Sequence, residues 1–266
     1  MAAGCRSGPS RPPPGPFPRS VVASILERLL LACARTLDVE HSRRPWLVVA
    51  PHPDDETLGC GCTIARARQA GIPVHVVVVT DGSGHPAHIA DKGMLVALRR
   101  DETVNACGVL GVPASHVVFL GIPDGQAPAN VANVAERLAE MVDRLDPDRI
   151  FAPSDLDNHS DHRAVAAAVR DLSRRGRGRA AVYGYPVWFW FPRYLVRAFL
   201  RGEFLLLRRV SSGACLDLKQ RALACHASQA GAFDPADAIL TPGFLWRFLR
   251  PYEYFFESRP WRQHGC

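Results

Sequence analysis

The feature that most constrains the fold is a repeated alternation of short apolar runs with longer segments of helical periodicity. The apolar runs lie at 46–50, 74–80, 116–120, 149–152 and 181–185, and several are rich in valine, as expected of strands buried on both faces. Helix candidates of about 15 residues separate them, at 56–70, 92–110, 129–145 and 162–174. This order predicts parallel βαβ units, and therefore an α/β fold with a Rossmann-like, doubly wound, mostly parallel sheet.

Four regions of different character follow one another along the chain. Residues 1–20 are rich in proline, glycine and arginine and predict a disordered tail. Residues 21–40 predict an N-terminal amphipathic helix, and residues 41–185 contain the alternation and predict the Rossmann-like core. Residues 186–266 end the alternation and are rich in aromatic residues and arginine. We interpret them as a C-terminal extension that completes the fold.

Charge and cysteine content indicate which binding partners and which cellular compartment to expect for this chain. The net charge is +6, but Lys92 and Lys219 are the only lysines and the arginines are scattered, so we predict no nucleic-acid partner. The eight cysteines show no zinc-ribbon spacing, and a chain of 266 residues needs no disulfide framework. Neither a signal peptide nor an apolar segment of about 18 residues is evident. We therefore expect a cytoplasmic protein with reduced thiols, and no feature of the sequence fixes an oligomeric state.

Acidic and imidazole side chains gather in two loops that follow predicted strands. His52, Asp54 and Asp55 come directly after the first strand of the core, and His159-Ser160-Asp161-His162 follows the fourth. Open parallel sheets bind ligands outside the carboxyl ends of their strands. We therefore expect the two loops to form one site.

The residue types in these loops match a catalytic zinc site. Such a site needs about three nitrogen or oxygen ligands and an open position for water, and His52, Asp55 and His162 could supply the three. Iron(II) and cobalt(II) are accepted by the same donors. His159 is three residues before His162 and projects to a similar side, so both cannot be assumed to be ligands.

The remaining side chains of the two loops suit the hydrolysis of an amide. Asp54 and Asp55 are adjacent and point in different directions, so one can ligate the metal while the other faces the water that the metal activates. A protonated His159 would stabilise the oxyanion that forms. Asp161 is a candidate to orient His159 and keep it protonated.

Two other interpretations of these motifs compete with the metal site. Asp54 or Asp55 could cap the helix that begins near Glu56. Gly59-Cys60-Gly61 with Asp81 superficially copies a dinucleotide-binding fingerprint. The second interpretation is disfavoured because the third glycine position holds Ile64 and because the acidic residues would oppose a pyrophosphate.

Several motifs together resemble the LmbE/PIG-L family of zinc-dependent N-acetylglucosaminyl deacetylases, and in particular its soluble bacterial members. The similarity covers roughly residues 45–256 and is most specific in its first and fourth motifs. The motifs are 47–61, 79–82, 99–102, 110–112, 119–125, 159–165, and a late segment with Lys219 and His226-Ala227-Ser228-Gln229.

The resemblance implies a role for each motif residue. It makes residues 41–185 the catalytic core, with zinc on His52, Asp55 and His162, Asp54 as general base and His159 at the oxyanion. Arg99 and Asp124 fall where family members contact the sugar, although Arg100 competes with Arg99 for the first role. Some relatives carry a tyrosine near the oxyanion two residues before His159, where this chain has Asp157.

The expected reaction is removal of an N-acetyl group from a small amino sugar or its glycoside. The alternatives are hydrolysis of another amide, such as a thiol-sugar conjugate or a longer N-acyl group, and a sugar- or membrane-binding module without catalysis. A large apolar pocket lined from residues 186–210 would favour the longer acyl group. The arginines and aromatic residues of 186–210 also suit peripheral membrane contact, while the core is expected to complete its substrate pocket with residues 186–266.

Overall fold

The computed structural model describes residues 21–86, 89–188, 196, 198, 200 and 202–258. Within these residues, eight strands form one sheet in the order β1-β7-β8-β6-β5-β2-β3-β4. The strands are β1 (Arg35–Thr36), β2 (Trp46–Ala50), β3 (Val74–Thr80), β4 (Val117–Ile122), β5 (Arg149–Pro153), β6 (Ala181–Tyr185), β7 (Leu207–Ser211) and β8 (Tyr252–Glu257).

The strand pairing confirms the predicted mostly parallel sheet. β2 pairs in parallel with both β3 and β5, so that Trp46 lies opposite Val74 on one side and Arg149 on the other. β3 with β4, β5 with β6, and β1 with β7 are also parallel. Only β8 runs antiparallel to its neighbours β6 and β7 among the described strands.

Helices cover both faces of this sheet. They are α1 (Val21–Ala32), α2 (Asp55–Gln69), α3 (Lys92–Val109), α4 (Val131–Leu145), α5 (Ser160–Arg174), α6 (Cys215–Ala224) and the single turn α7 (Pro242–Leu245). Successive residues of β2 point to opposite faces. Trp46 and Val48 pack in a core with α2, α3 and α6, whereas Leu47 and Val49 pack in a second core with α4 and α5. The doubly wound prediction is therefore confirmed.

The two ends of the chain differ from a simple continuation of this pattern. The helix predicted over 21–40 is shorter, because α1 ends at Ala32 and Arg35–Thr36 then pairs with β7. The predicted tail at 1–20 lies outside the described residues. The C-terminal region adds β7 and β8 to the same sheet and packs α6 beside α2. Among the described residues, no helix has the length and apolar character needed to cross a membrane.

Candidate metal centre and active site

Loops that follow the central strands line one open cavity. It measures about 560 Å³, including the space open to solvent. Its polar wall carries most of the residues predicted for the site, namely His52, Asp54, Asp55, Arg99, Asp124 and His159, together with His85 and Gln229. Its apolar wall consists of Leu58, Val187, Trp188, Ile239 and Phe244. The neighbouring positions of β2 and β5 in the sheet bring the two sequence motifs together.

Three donor atoms lie at distances that suit a single metal ion, two of them from the cavity-lining residues His52 and Asp55 and the third from His162, which is buried. Asp55 Oδ2 is 3.2 Å from both His52 Nδ1 and His162 Nε2, and the two imidazole nitrogens are 3.3 Å apart. Ligands of a tetrahedral zinc ion, with bonds of about 2.0–2.1 Å, stand about 3.3 Å from one another. The residues therefore fit the predicted zinc site without rearrangement.

Two other groups of donors lie nearby. Ligand atoms of His52, His159 and His162 lie within 4.8 Å of one another, as do those of His52, Asp124 and Asp161. The second group uses His52 Nε2, on the opposite side of the ring from the nitrogen that faces Asp55. We favour the trio of His52, Asp55 and His162, because each of its three mutual distances is close to that between tetrahedral ligands.

The outward nitrogen of each histidine in the trio faces a carboxylate. His52 Nε2 lies 3.1 Å from Asp161 Oδ2 and 3.2 Å from Asp124 Oδ1, and His162 Nδ1 lies 3.3 Å from Asp157 Oδ2. Such partners fix the tautomer and orientation of a metal-binding imidazole and raise its basicity. The carboxylates of Asp124, Asp157 and Asp161 thus form a second layer around the predicted metal ligands.

Asp157 belongs to this second layer and not to the oxyanion side of the cavity. Its buried Oδ2 also accepts hydrogen bonds from the backbone N–H groups of Val187 and Trp188, each at 2.9 Å. Burial opposes its ionisation, but the imidazole of His162 and the backbone donors hold the pKa of Asp157 below its usual value. Asp157 therefore contacts a predicted metal ligand and the backbone of the apolar wall.

Asp161 has a different partner from the one expected. Its carboxylate contacts His52 and accepts backbone N–H groups of Gly125 and Ala127, at 2.9 and 3.2 Å. Only its backbone N–H reaches His159, donating to Nδ1 at 3.3 Å. Burial, followed by the charges of His52 and His162, holds the pKa of His159 below its ordinary value. The expectation that Asp161 keeps His159 protonated is therefore corrected, because the carboxylate turns toward the other histidine.

The hydrogen bond from Asp161 instead fixes the tautomer of a neutral His159. An Nδ1 atom that accepts an N–H must be unprotonated, so the ring proton lies on Nε2. His159 lines the cavity. A neutral imidazole therefore still offers one N–H donor there.

Asp54 occupies the position before the first residue of α2 without acting as a side-chain cap. No cap hydrogen bond is made by its carboxylate, which lines the cavity. Burial, with the neighbouring carboxylate of Asp55, raises the pKa of Asp54 to about 8. The helix-cap interpretation therefore does not account for this residue.

The charges of the trio are strongly coupled before any metal binds. Burial opposes the ionisation of Asp55, but His162 and then His52 outweigh it and hold the pKa of Asp55 well below its usual value. Burial would lower the pKa of His162, but Asp55 and Asp157 raise it to about 9. A metal ion that binds here must displace the proton of His162.

Arg99 and Asp124 both reach the cavity, as the family resemblance implies. Arg99 is only 3% exposed, and one guanidinium nitrogen donates to the carbonyl of Gly82. Its Nε and Nη2 make no hydrogen bond within the part of the chain that the structure describes. Arg100 instead stacks over Phe119, 4.7 Å from the ring centre, and is exposed. Of the two arginines, only Arg99 is available to a ligand in the cavity.

The sequence predicts that residues 186–266 complete the pocket, but it does not single out Ile239 and Phe244, which carry no signature of their own, or the role of the glycines in α2. Trp188 lies in the aromatic-rich region that the sequence does single out. A Cβ atom at Gly59 would meet the ring of Tyr185 at 2.4 Å, and one at Gly61 would meet Lys219 at 2.9 Å. These glycines serve close packing, which explains why the dinucleotide pattern is only superficial.

Known proteins share both sequence and architecture with this chain. The family PIG-L, described as GlcNAc-PI de-N-acetylase, matches residues 47–173. An uncharacterized deacetylase of Escherichia coli K12, YaiS, is 30% identical over 149 residues, which cover 54% of this chain and 72% of YaiS. The 1D-myo-inositol 2-acetamido-2-deoxy-alpha-D-glucopyranoside deacetylase of Kineococcus radiotolerans is 34% identical over 157 residues, but these cover only 40% of that enzyme.

A solved structure extends the likeness beyond the matched sequence. The N,N'-diacetylchitobiose deacetylase of Pyrococcus horikoshii superposes with a TM-score of 0.62 over 91% of this chain and 94% of its own. The two sequences are 20% identical, so this comparison shows a shared fold. The C-terminal strands and helices are thus part of the common architecture.

Proposed function

Since this chain belongs to the PIG-L family of de-N-acetylases, we propose that it removes the N-acetyl group from an N-acetylglucosamine-type amino sugar or its glycoside. The amide hydrolase activity is a property of the family, and zinc is the ion that we assign to His52, Asp55 and His162. One observation carries the proposal. Three donor atoms lie 3.2–3.3 Å from one another, and two of the residues that supply them, His52 and Asp55, line a cavity together with Asp54, whose carboxylate does not cap α2.

Zinc held by His52, Asp55 and His162 would supply Lewis acidity and would lower the pKa of water to about 7. Its positive charge would also lower the pKa of Asp54, which is about 8 without the ion. The ionised carboxylate of Asp54 is then placed to accept the proton of the attacking water as general base. The Nε2–H of His159 donates a hydrogen bond to the carbonyl oxygen as negative charge develops there. Asp54 then returns the proton to the nitrogen as the C–N bond breaks, so that acetate and a free amine leave.

Arg99 and Asp124 would recognise the sugar. The free guanidinium N–H groups of Arg99 suit hydroxyl or carbonyl oxygens. Asp124 has one oxygen near His52 and the other near the N–H of Gly84, at 3.1 Å. It would therefore couple the position of the sugar to the orientation of His52.

The apolar wall favours a second candidate within the same chemistry. Val187 and Trp188 come from the 186–210 region, and the ring of Trp188 lies 4.9 Å from that of Phe244. This surface supports a substrate that carries an apolar group, either a longer N-acyl chain or an aglycone. Hydrolysis of an amide other than acetamide is therefore the alternative, and the substrates tested below must include such an amide.

We also propose a cytoplasmic protein that can rest on an anionic membrane face through 186–210. Of that segment, residues 189–195, 197, 199 and 201 lie outside the described residues. Leu200 and Leu205 are 79% and 65% exposed, as membrane contact would require. Co-sedimentation with anionic vesicles, lost after charge reversal of Arg197 and Arg201, tests this; the absence of wild-type binding removes it.

The main experiment measures acetate released from a panel of N-acetylglucosaminides that vary in aglycone and acyl group. Purified protein is compared with chelator-treated protein, metal-restored protein and the Asp54→Asn variant. We expect chelation to abolish release, zinc to restore it, and Asp54→Asn to reduce kcat about 10²- to 10⁴-fold while zinc still binds. If zinc binds but no substrate of the panel is hydrolysed, the proposed substrate class is wrong, whereas the proposed metal site is supported.

A further inference from the structure

The backbone of Asp54 has a conformation that residues other than glycine rarely adopt. Its φ is 133° and its ψ is −25°. Such strain persists only where the surrounding structure over-determines the conformation. The proposed general base therefore needs contacts that hold its backbone from outside its own turn.

Two residues of a segment distant in the sequence, His226 and Gln229, hold the turn that contains Asp54. The segment 226–229 directly follows α6. The side-chain Nε2 of Gln229 donates to the carbonyl of Pro53, the residue before Asp54, at 2.6 Å. On the other side, the N–H of Asp54 donates to Glu56 Oε2 at 3.2 Å, and Glu56 Oε1 lies 3.4 Å from Nε2 of His226. The peptide group before Asp54 Cα is thus held at both edges, at its carbonyl by Gln229 and at its N–H through Glu56. The peptide group after Asp54 Cα is held by α2, because the N–H groups of Thr57 and Leu58 donate to the carbonyl of Asp54 at 3.0 and 2.8 Å.

The holding segment is itself anchored and buried. Ser228 donates to Glu102 of α3 from both its backbone N–H and its hydroxyl, each at 2.7 Å. His226 has no exposed surface and does not line the cavity. Burial alone would lower its pKa, but the Glu56 carboxylate outweighs burial and raises the pKa of His226. Because both side chains are fully buried, neither His226 nor Glu56 can replace this contact with bulk water.

We infer that His226 and Gln229 are positioning residues that hold the strained backbone of Asp54 and so aim its carboxylate at the reacting water. The inference rests on the proposed function, because it takes Asp54 as the general base. His226 acts through Glu56 and touches neither substrate nor metal. Gln229 also lines the cavity, so His226 provides the cleaner test.

The two amides that can replace histidine offer a matched comparison. Glutamine places its amide nitrogen near the position of the imidazole Nε2, which faces Glu56, whereas asparagine places it near Nδ1. We therefore expect His226→Gln to keep kcat within about threefold of the wild type. His226→Asn should lower kcat about 10- to 100-fold, because a misplacement of about 1 Å can cost 10²-fold.

Leu138→Ala serves as the control for a merely structural loss. Leu138 is equally buried, but it lies in α4 and packs in the second core with α5, away from the turn of Asp54. Its loss should lower the melting temperature at least as much as His226→Asn, with kcat within about twofold. In all three variants we expect one bound zinc ion and a KM within about twofold of the wild type.

Crystal structures of the two His226 variants provide a readout that does not depend on turnover. We expect the φ of Asp54 to leave the positive region in His226→Asn and to keep it in His226→Gln. Equal kcat values for the two variants, or an Asp54 that stays in place in both structures, would overturn the inference. If the wild type releases no acetate from the panel, the proposed function fails, and the two structures alone decide whether His226 positions Asp54.

Discussion

His162 shows how one side chain joins the predicted metal site to the wall of the pocket. Its Nε2 faces Asp55 and His52, while its Nδ1 faces Asp157, which in turn binds the backbone of Val187 and Trp188. The carboxylate that tunes a predicted metal ligand is therefore the same one that fixes the start of the apolar wall. We therefore expect a substitution of Asp157 to lower the affinity of the site for a metal ion.

We expect Asp157→Asn to weaken zinc binding about 10- to 100-fold, the usual cost of losing a partner of a metal-binding histidine. The amide has the same shape as the carboxylate but no charge to raise the basicity of His162. Competition with a chromogenic chelator measures the affinity directly. Asp155→Asn, at an exposed residue paired with Arg170 at 2.9 Å, is the control that should leave it unchanged. Equal affinity in the Asp157→Asn variant would show that the contact is structural.

At this scale the sequence predicted the residue types better than their contacts. The divergence of Asp54 and Asp55 could be predicted from adjacency alone, because neighbouring side chains leave the backbone in different directions. The partner of Asp161 could not, because His52 is 109 residues away and the contact depends on the positions of two loops. The same limit hid the link from His226 to Glu56, which joins the end of the chain to its first motif.

Among the elements, α2 packs closely against the sheet, and its glycines make this possible. Gly59 lies against Tyr185 of β6, whose hydroxyl donates to the carbonyl of Val49 at 2.8 Å. α2 begins immediately after Asp54. The distance at which this helix packs from the sheet therefore also fixes the position of Asp54 and Asp55 in the predicted metal site.

We expect Gly59→Ala to destabilise the protein by about 1–3 kcal/mol, because the new methyl group overpacks a filled core. Alanine is the better helix former by about 1 kcal/mol, so helix propensity predicts the opposite sign. Gly108→Ala is the matched control, because Gly108 lies in α3 with no atom within 4 Å of the added Cβ. It should stabilise the protein by about 0.4–1 kcal/mol. Urea unfolding measures both, and equal signs would contradict the packing argument.

A second element-level feature is the stack of His75 in β3 on His116, with ring centroids 4.0 Å apart. Burial, followed by the charge of His116, lowers the pKa of His75 from 6.5 to about 4. The unfolded chain therefore takes up a proton at a higher pH than the folded protein does. The stability that the neutral ring contributes is complete above pH 6.5 and is lost as the pH falls toward 4.

His75→Phe keeps an aromatic ring in the stack and cannot be protonated. We expect its free energy of unfolding to fall less than that of the wild type between pH 6.5 and 4, by about 1 kcal/mol once solvent screening of the half-buried ring is allowed for. Unfolding of metal-free protein at several pH values measures the difference. Parallel curves for the two proteins would remove His75 as a cause of acid destabilisation.

The strands of the core were predictable because they depend on local apolar pattern, and 46–50, 74–80 and 181–185 have the bounds that the sequence predicts. β1 and β7 were not, because each is defined by pairing with a distant segment. Arg35 and Thr36 form a strand only by lying beside Arg208 and Arg209, and two residues carry no periodicity. Such pairing depends on tertiary context, which a sequence window does not contain.

Across the whole molecule, the cavity is shared between the two halves of the chain. The core supplies the proposed metal ligands and Asp54, while the region after residue 186 supplies Val187, Trp188, Gln229, Ile239 and Phe244. The apolar wall of the cavity therefore comes from a different part of the fold than the proposed metal ligands and general base. Substitutions in the apolar wall should change KM more than kcat, because they remove binding that the ground state and the transition state share.

Trp188→Ala tests this division directly. Truncation removes the ring that packs 4.9 Å from Phe244, and a contact of this kind is worth about 1–3 kcal/mol, or about 10- to 200-fold. We expect KM to rise by at least about tenfold for an N-acetylglucosaminide with an aromatic aglycone, and by less for the free amino sugar, with kcat within about threefold for both. Trp246→Ala, at a tryptophan outside the cavity lining, controls for general loss of packing. A fall in kcat with unchanged KM would instead assign the wall to the transition state, and an equal effect on both substrates would mean that the wall contacts the sugar itself.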